Sequence, residues 1–108
     1  MKPETLKKIA EAMGYEVRPV KGMYDEELPP YVVKVYDSHA CINGHIFYPT
    51  ETPSQLVEVV EWLLKSGWEI GASRGRYFCR KTMNDAWVKY INNSFCEVTM
   101  QAAAKEVE

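Results

Sequence analysis

Residues 45–81 constrain the fold most tightly, reading HIFYPTETPSQLVEVVEWLLKSGWEIGASRGRYFCRK. The middle of this stretch predicts an amphipathic helix. Thr52 stands at an N-cap position, Pro53 suits the first helical position because its φ is preset, and Gln55 completes a T-x-x-Q capping box. Leu56, Val59, Val60, Leu63 and Leu64 then recur at helical spacing and mark one apolar face. Gly67 suits the C′ position, and Lys65 places a cation where the helix dipole favours one. Extended segments are expected at 45–48 before the helix, and at 68–72 and 76–81 after it. The unit reads strand, helix, hairpin.

The rest of the chain extends this pattern. Residues 3–13 predict a first helix with Leu6, Ile9, Ala10 and Met13 on one face and Gly14 as its stop. Gly14-Tyr15 and Gly67-Trp68 share one logic, a glycine that ends a helix and an aromatic that opens a strand. Residues 21–30 carry Asp25-Glu26-Glu27 and Pro29-Pro30 and read as a solvated loop. Tyr31–Tyr36 is β-branched and aromatic, hence a strand. Asn43-Gly44 is a strong hairpin signal and would pair Ile42 with His45. Ser73-Arg74-Gly75 closes a second hairpin, and residues 82–85 form a further turn. Residues 86–91 alternate poorly and fit a strand better than a short helix. Ser94 with Glu97 makes another capping box ahead of a terminal helix over 95–107, with Phe95, Val98 and Ala102 on one line. The expectation is a single α+β domain over residues 1–108, an antiparallel sheet of four to six strands layered with three helices in an αβα sandwich-like arrangement.

Composition bounds the function classes. At 108 residues, 46% hydrophobic and 12% aromatic, the chain can build a core without disulfides or metal. A formal charge of −2 makes no electrostatic case for general nucleic-acid binding. No apolar run nears the ~20 residues that span a bilayer, and the N-terminus has no secretory h-region. A cytoplasmic protein with no membrane partner is expected. Cys41, Cys79 and Cys96 are odd in number and widely spaced, so they are read as reduced thiols.

Several motifs together resemble a known family. They are Met13-Gly14-Tyr15, Phe47-Tyr48-Pro49-Thr50-Glu51-Thr52, Val59-Val60-Glu61, Tyr77-Phe78-Cys79 and Ala102-Ala103-Ala104. In this order the chain is similar to the small phage and prophage proteins known as phage ABA-sandwich domain proteins. It departs from their pattern in the acidic Pro-Pro segment after Gly22, in lacking a tryptophan at Tyr77-Phe78-Cys79, and over residues 86–93. The resemblance implies a phage product working in the bacterial host cytoplasm, in an accessory or counter-defence role. It brings no catalytic motif.

The residues offer three candidate sites. His39-x-Cys41-x3-His45 holds zinc-type ligands, but the expected hairpin puts His45 on the face opposite His39 and Cys41, so no metal site is assigned. Cys79 beside Arg80 suggests a thiol of lowered pKa, yet a cysteine in an aromatic strand is more often a small core residue. The most suggestive surface is the hairpin with Arg74, Arg76, Phe78, Arg80 and Lys81. Arg76, Phe78 and Arg80 share one strand face, and guanidinium groups grip phosphate while a ring stacks a base. Trp62, Trp68 and Trp87 are too many to be accidental surface, and Trp62, beside the apolar stripe of the central helix, widens the core face or marks an oligomer contact. The functional expectation is a non-enzymatic, cofactor-free, homo-oligomeric protein that sequesters a nucleotide-like immune signal on these five residues. The alternatives are an inhibitor that blocks a host defence protein by direct contact, and a small metal-dependent enzyme.

Overall fold

The computed structural model describes residues 3–18, 31–36, 39–40 and 45–108. The acidic loop, the Asn43-Gly44 turn, Ile42 and Cys41 lie outside the described residues. The fold is α+β, and the described residues form three helices and antiparallel sheets, in the order α1 (Pro3–Ala12), β1 (Tyr15–Arg18), β2 (Tyr31–Tyr36), β3 (His39–Ala40), β4 (His45–Ile46), α2 (Pro53–Lys65), β5 (Glu69–Ser73), β6 (Arg76–Met83), β7 (Ala86–Asn92) and α3 (Phe95–Glu106). It groups into two compact units, Met1–Tyr48 and Pro49–Glu106. The described strands form two sheets, one with β2 at its centre and one in the order β5-β6-β7.

In the first unit, Leu6, Ile9 and Ala10 of α1 are buried, as their helical spacing predicts. The helix stops at Gly14, whose φ of 96° is open to glycine and costly for residues with a Cβ. The buried Tyr15 follows, with its ring 5.9 Å from that of Phe47. From there β1 runs antiparallel to β2, pairing Tyr15 with Lys34 and Arg18 with Tyr31. Both short strands add to β2 as well: His39 pairs with Tyr36, and His45 with Val32. The six-residue, β-branched β2 is the template on which the two-residue strands form their ladders.

In the second unit, α2 begins at Pro53 as expected, but Thr52 makes no side-chain cap. Its carbonyl instead accepts the N–H groups of Gln55 and Leu56 at 3.0 and 3.1 Å. The buried line is Gln55, Val59 and Leu63, one residue per turn; Leu56 and Val60 flank it half-buried, and Leu64 is exposed. The apolar stripe is thus narrower than the sequence pattern drew it. The helix closes in a Schellman motif: the Trp68 N–H donates to the Leu63 carbonyl at 3.0 Å and the Gly67 N–H to the Leu64 carbonyl at 3.2 Å, with Gly67 at φ 98°. Burial of both Trp68 and Leu63 supplies the apolar pair that accompanies such caps.

Two tight turns shape the second sheet. Ser73 pairs with Arg76 across Arg74-Gly75, and Met83 pairs with Ala86 across Asn84-Asp85. All four turn residues have positive φ, the signature of type I′ turns, whose twist matches that of paired strands. Residues 86–91 are therefore a strand, extending to Asn92. One face of the sheet receives α3, which also contacts α2. Val98, Thr99, Met100, Ala102 and Ala103 of α3 are buried, while Phe95 is half-buried with its ring 5.4 Å from Tyr77. Thr99 is tolerated there because its hydroxyl donates to the Phe95 carbonyl at 2.7 Å. At the start of α3 the Ser94 Oγ accepts the Glu97 N–H at 3.3 Å, half of the expected box; the Ser94 N–H is engaged by Asn92 Oδ1 at 2.9 Å instead of by Glu97.

Candidate functional site

Strand alternation divides β6 into two sets. Tyr77, Cys79 and Lys81 face α3, and Arg76, Phe78 and Arg80 face away from it. The register then places Gly71 and Ile91 beside Phe78, Glu69 and Lys89 beside Arg80, and Trp87 beside Thr82. Arg76, Phe78 and Arg80 do share one face, as the sequence indicates. That face also carries Trp87, Lys89 and Ile91 of β7. Their i, i+2, i+4 spacing was visible in the sequence, but only a firm strand assignment for β7 would have turned it into a shared face.

The five expected ligand residues are not equivalent. Arg80 is already engaged: its Nε donates to Glu69 Oε2 at 2.6 Å, and its guanidinium carbon lies 5.7 Å from the Phe78 ring centroid and 5.4 Å from that of Trp87. It has a carboxylate partner and lies close to two rings. Lys81 is turned to the other face, where its Nζ donates to both Glu106 carboxylate oxygens at 2.9 Å. Glu106 also accepts the Trp68 Nε1–H at 3.0 Å, so it ties α3 to the sheet. Lys81 is a structural cation, placed there because odd-numbered β6 positions point at α3.

Arg74, Arg76 and Lys89 form no ion pair with any carboxylate among the described residues. Together with Ser73, Tyr77, Phe78 and Ile91 they line a concavity of about 640 Å³ beside the β5–β6 turn. Arg74 holds φ 54°, a left-handed conformation unusual for a long side chain. Lys89 Nζ sits 5.6 Å from the Phe78 ring centroid at the rim. Phe78 lies over Gly71: a Cβ there would stand 2.8 Å from the ring's Cζ, so glycine makes room for the ring. Beyond Arg80, Trp87 is 64% exposed, and Ile91 is 52% exposed. The arrangement is a cationic rim over an apolar floor, suited to an anion that carries a planar group.

The other candidates resolve differently. Cys79 is fully buried, and burial pushes its thiol up to about 11. Arg80 points to the opposite face and does not lower it. The Cys96 thiol is also raised, by burial and then by Glu97 and Glu51. Both cysteines are free thiols. The backbone sets His39 opposite Tyr36 and His45 opposite Val32, while Cys41 lies outside the described residues. No group of three histidine, cysteine or carboxylate side chains among the described residues is placed to hold a metal. Trp68 is buried and stacks on Tyr90 at 6.3 Å, and Trp62 is half-buried. Among the described residues no helix is long and apolar enough to cross a membrane.

No protein-family model, curated protein or solved structure matches the chain.

Proposed function

We propose that this chain is a non-enzymatic binding protein that captures a nucleotide-like anion on the open face of the β5–β7 sheet. The observation that carries the reading is the convergence of Arg74, Arg76 and Lys89, none with a described carboxylate partner, around the Phe78–Ile91 floor. Guanidinium groups bind phosphate through paired N–H donors and stay protonated at neutral pH, so they favour capture over general-base turnover. The lining of the concavity includes no carboxylate, histidine or cysteine among the described residues. The ligand set differs from the sequence expectation: Lys89 replaces Lys81, and Arg80 positions rings. Together with the resemblance to phage ABA-sandwich proteins, the reading places the protein in the bacterial cytoplasm as a counter-defence factor that sequesters a nucleotide signal, working as a homo-oligomer with an αβα-layered protomer.

A melting-temperature screen against mono-, di- and cyclic nucleotides tests this reading. At least one nucleotide raises the melt by mass action and is recovered intact after denaturation. Arg76→Ala combined with Lys89→Ala removes the shift while leaving the melt of the free protein within a few degrees. A second reading, direct blocking of a host protein, is favoured by the exposed Trp87 and Ile91, an aromatic–aliphatic pair on one strand face. A screen without any nucleotide hit, with counter-defence activity lost in Trp87→Ala, would transfer the function to that contact.

A further inference from the structure

Arg80 has a consequence for the size of the ligand. Its guanidinium carbon lies 5.7 Å from the Phe78 ring centroid and 5.4 Å from that of Trp87, which puts the two centroids at most about 11 Å apart, and along the strands the Arg80–Lys89 pair falls between the Phe78 and Trp87 positions. With the Arg80–Lys89 pair in register between them, Phe78 and Trp87 are two separate aromatic surfaces on one face. Glu69 pairs with Arg80 at 2.6 Å on the exposed face, so Arg80 already has a carboxylate partner beside the two rings. Arg74, Arg76 and Lys89, without a carboxylate partner among the described residues, border the Phe78 end, and Lys89, on the same strand as Trp87, falls between the Phe78 and Trp87 positions in the register. The face therefore offers two stacking surfaces with positive charge beside and between them.

We infer that the bound unit is two bases joined by a phosphodiester, with one base in the Phe78–Ile91 concavity, the second on Trp87, and the linking phosphate near Lys89. This rests on the anion-capture reading and adds the second base. The same chemistry occurs in a free dinucleotide and within a single strand. Charge on the whole chain does not decide between them, since the cations are concentrated on one sheet face of a molecule whose formal charge is −2.

Isothermal titration of the full chain at low salt tests the inference with adenosine monophosphate, a linear diadenylate, a cyclic diadenylate and a hexa-adenylate blocked at both ends. At least one dinucleotide-containing probe binds about tenfold or more tightly than the monophosphate, the gain expected for one added base–aromatic stack. Trp87→Ala brings that ratio close to one, and Trp87→Phe keeps most of it. Trp87 is exposed, so the alanine variant retains the fold, checked by its melt. Binding of the blocked hexa-adenylate as tightly as the linear diadenylate assigns the unit to a single strand; binding of the diadenylates alone assigns it to a free dinucleotide, and either supports the two-base unit. Equal affinity for monophosphate and dinucleotides, or a ratio unchanged by Trp87→Ala, overturns the inference and leaves anion capture standing. No binding of any probe overturns both.

Discussion

At the scale of single residues, chemistry follows from which face a side chain takes. Thr52 and Ser94 look alike in sequence, each opening a capping box, yet only Ser94 Oγ accepts a helix N–H. Ser94→Ala should therefore cost about 1 kcal/mol in denaturant melts, and Thr52→Ala less than about 0.5 kcal/mol. Cys79 illustrates burial overriding a neighbour in sequence. With its folded pKa at about 11 against an ordinary 9.0, the folded and unfolded chains both keep the proton below pH 9. Between pH 9 and 11 the unfolded chain releases a proton that the folded chain retains, so the stability this group contributes is lost as pH rises through that window. Thiol labelling at pH 8 should leave Cys79 unmodified until the protein unfolds, and denaturant midpoints should fall from pH 9 to 11, less so in Cys79→Ala. Arg74 supplies a third case. Its left-handed φ is a cost that an asparagine bears more easily, so Arg74→Asn should hold or raise the melting temperature, by up to about 1 kcal/mol of stability, while weakening nucleotide binding.

Elements are held by how each ends and by what it meets. Both predicted glycine stops have φ near 95–100°, and at the second the Schellman bonds bring Trp68 back toward Leu63. Leu63 is fully buried at the last turn of α2. Leu63→Ala should cost about 2–5 kcal/mol, from lost transfer energy and the cavity left behind, and calorimetry should show a correspondingly lower melt. Leu64→Ala, one position on, should be nearly silent because Leu64 is exposed. This contrast also tests the narrow Gln55–Val59–Leu63 line against the wider stripe that the spacing of apolar residues suggests.

For the whole molecule, the distribution of charge matters more than its total. The formal charge is −2, but Arg74, Arg76 and Lys89 gather on one face, and Glu69, the acidic residue paired on that face, is matched to Arg80. Raising salt from 50 to 200 mM at pH 7 should weaken nucleotide binding severalfold, because screening lowers the attraction of these three cations for phosphate. The melt of the free protein should change little over the same range. Blocking of a partner through Trp87 and Ile91 would show almost no such dependence, since apolar burial is not screened.

Much of the local structure follows from the sequence because it depends on short-range physics. Period-3.6 apolar spacing, glycines at helix ends, and turn residues that tolerate positive φ determine α1, α2, α3, the β5–β6 hairpin and the shared face of Arg76, Phe78 and Arg80. Tertiary structure alone decided what depends on partners distant in the chain. Glu106 claims Lys81 from 25 residues away, Glu69 claims Arg80, and the pairing of Phe78 with Ile91 and of Arg80 with Lys89 brings β7 into the site. Residues 86–91 show why the division falls there: weak alternation leaves a strand's existence open, and only its ladder with β6 fixes which side chains reach the open face.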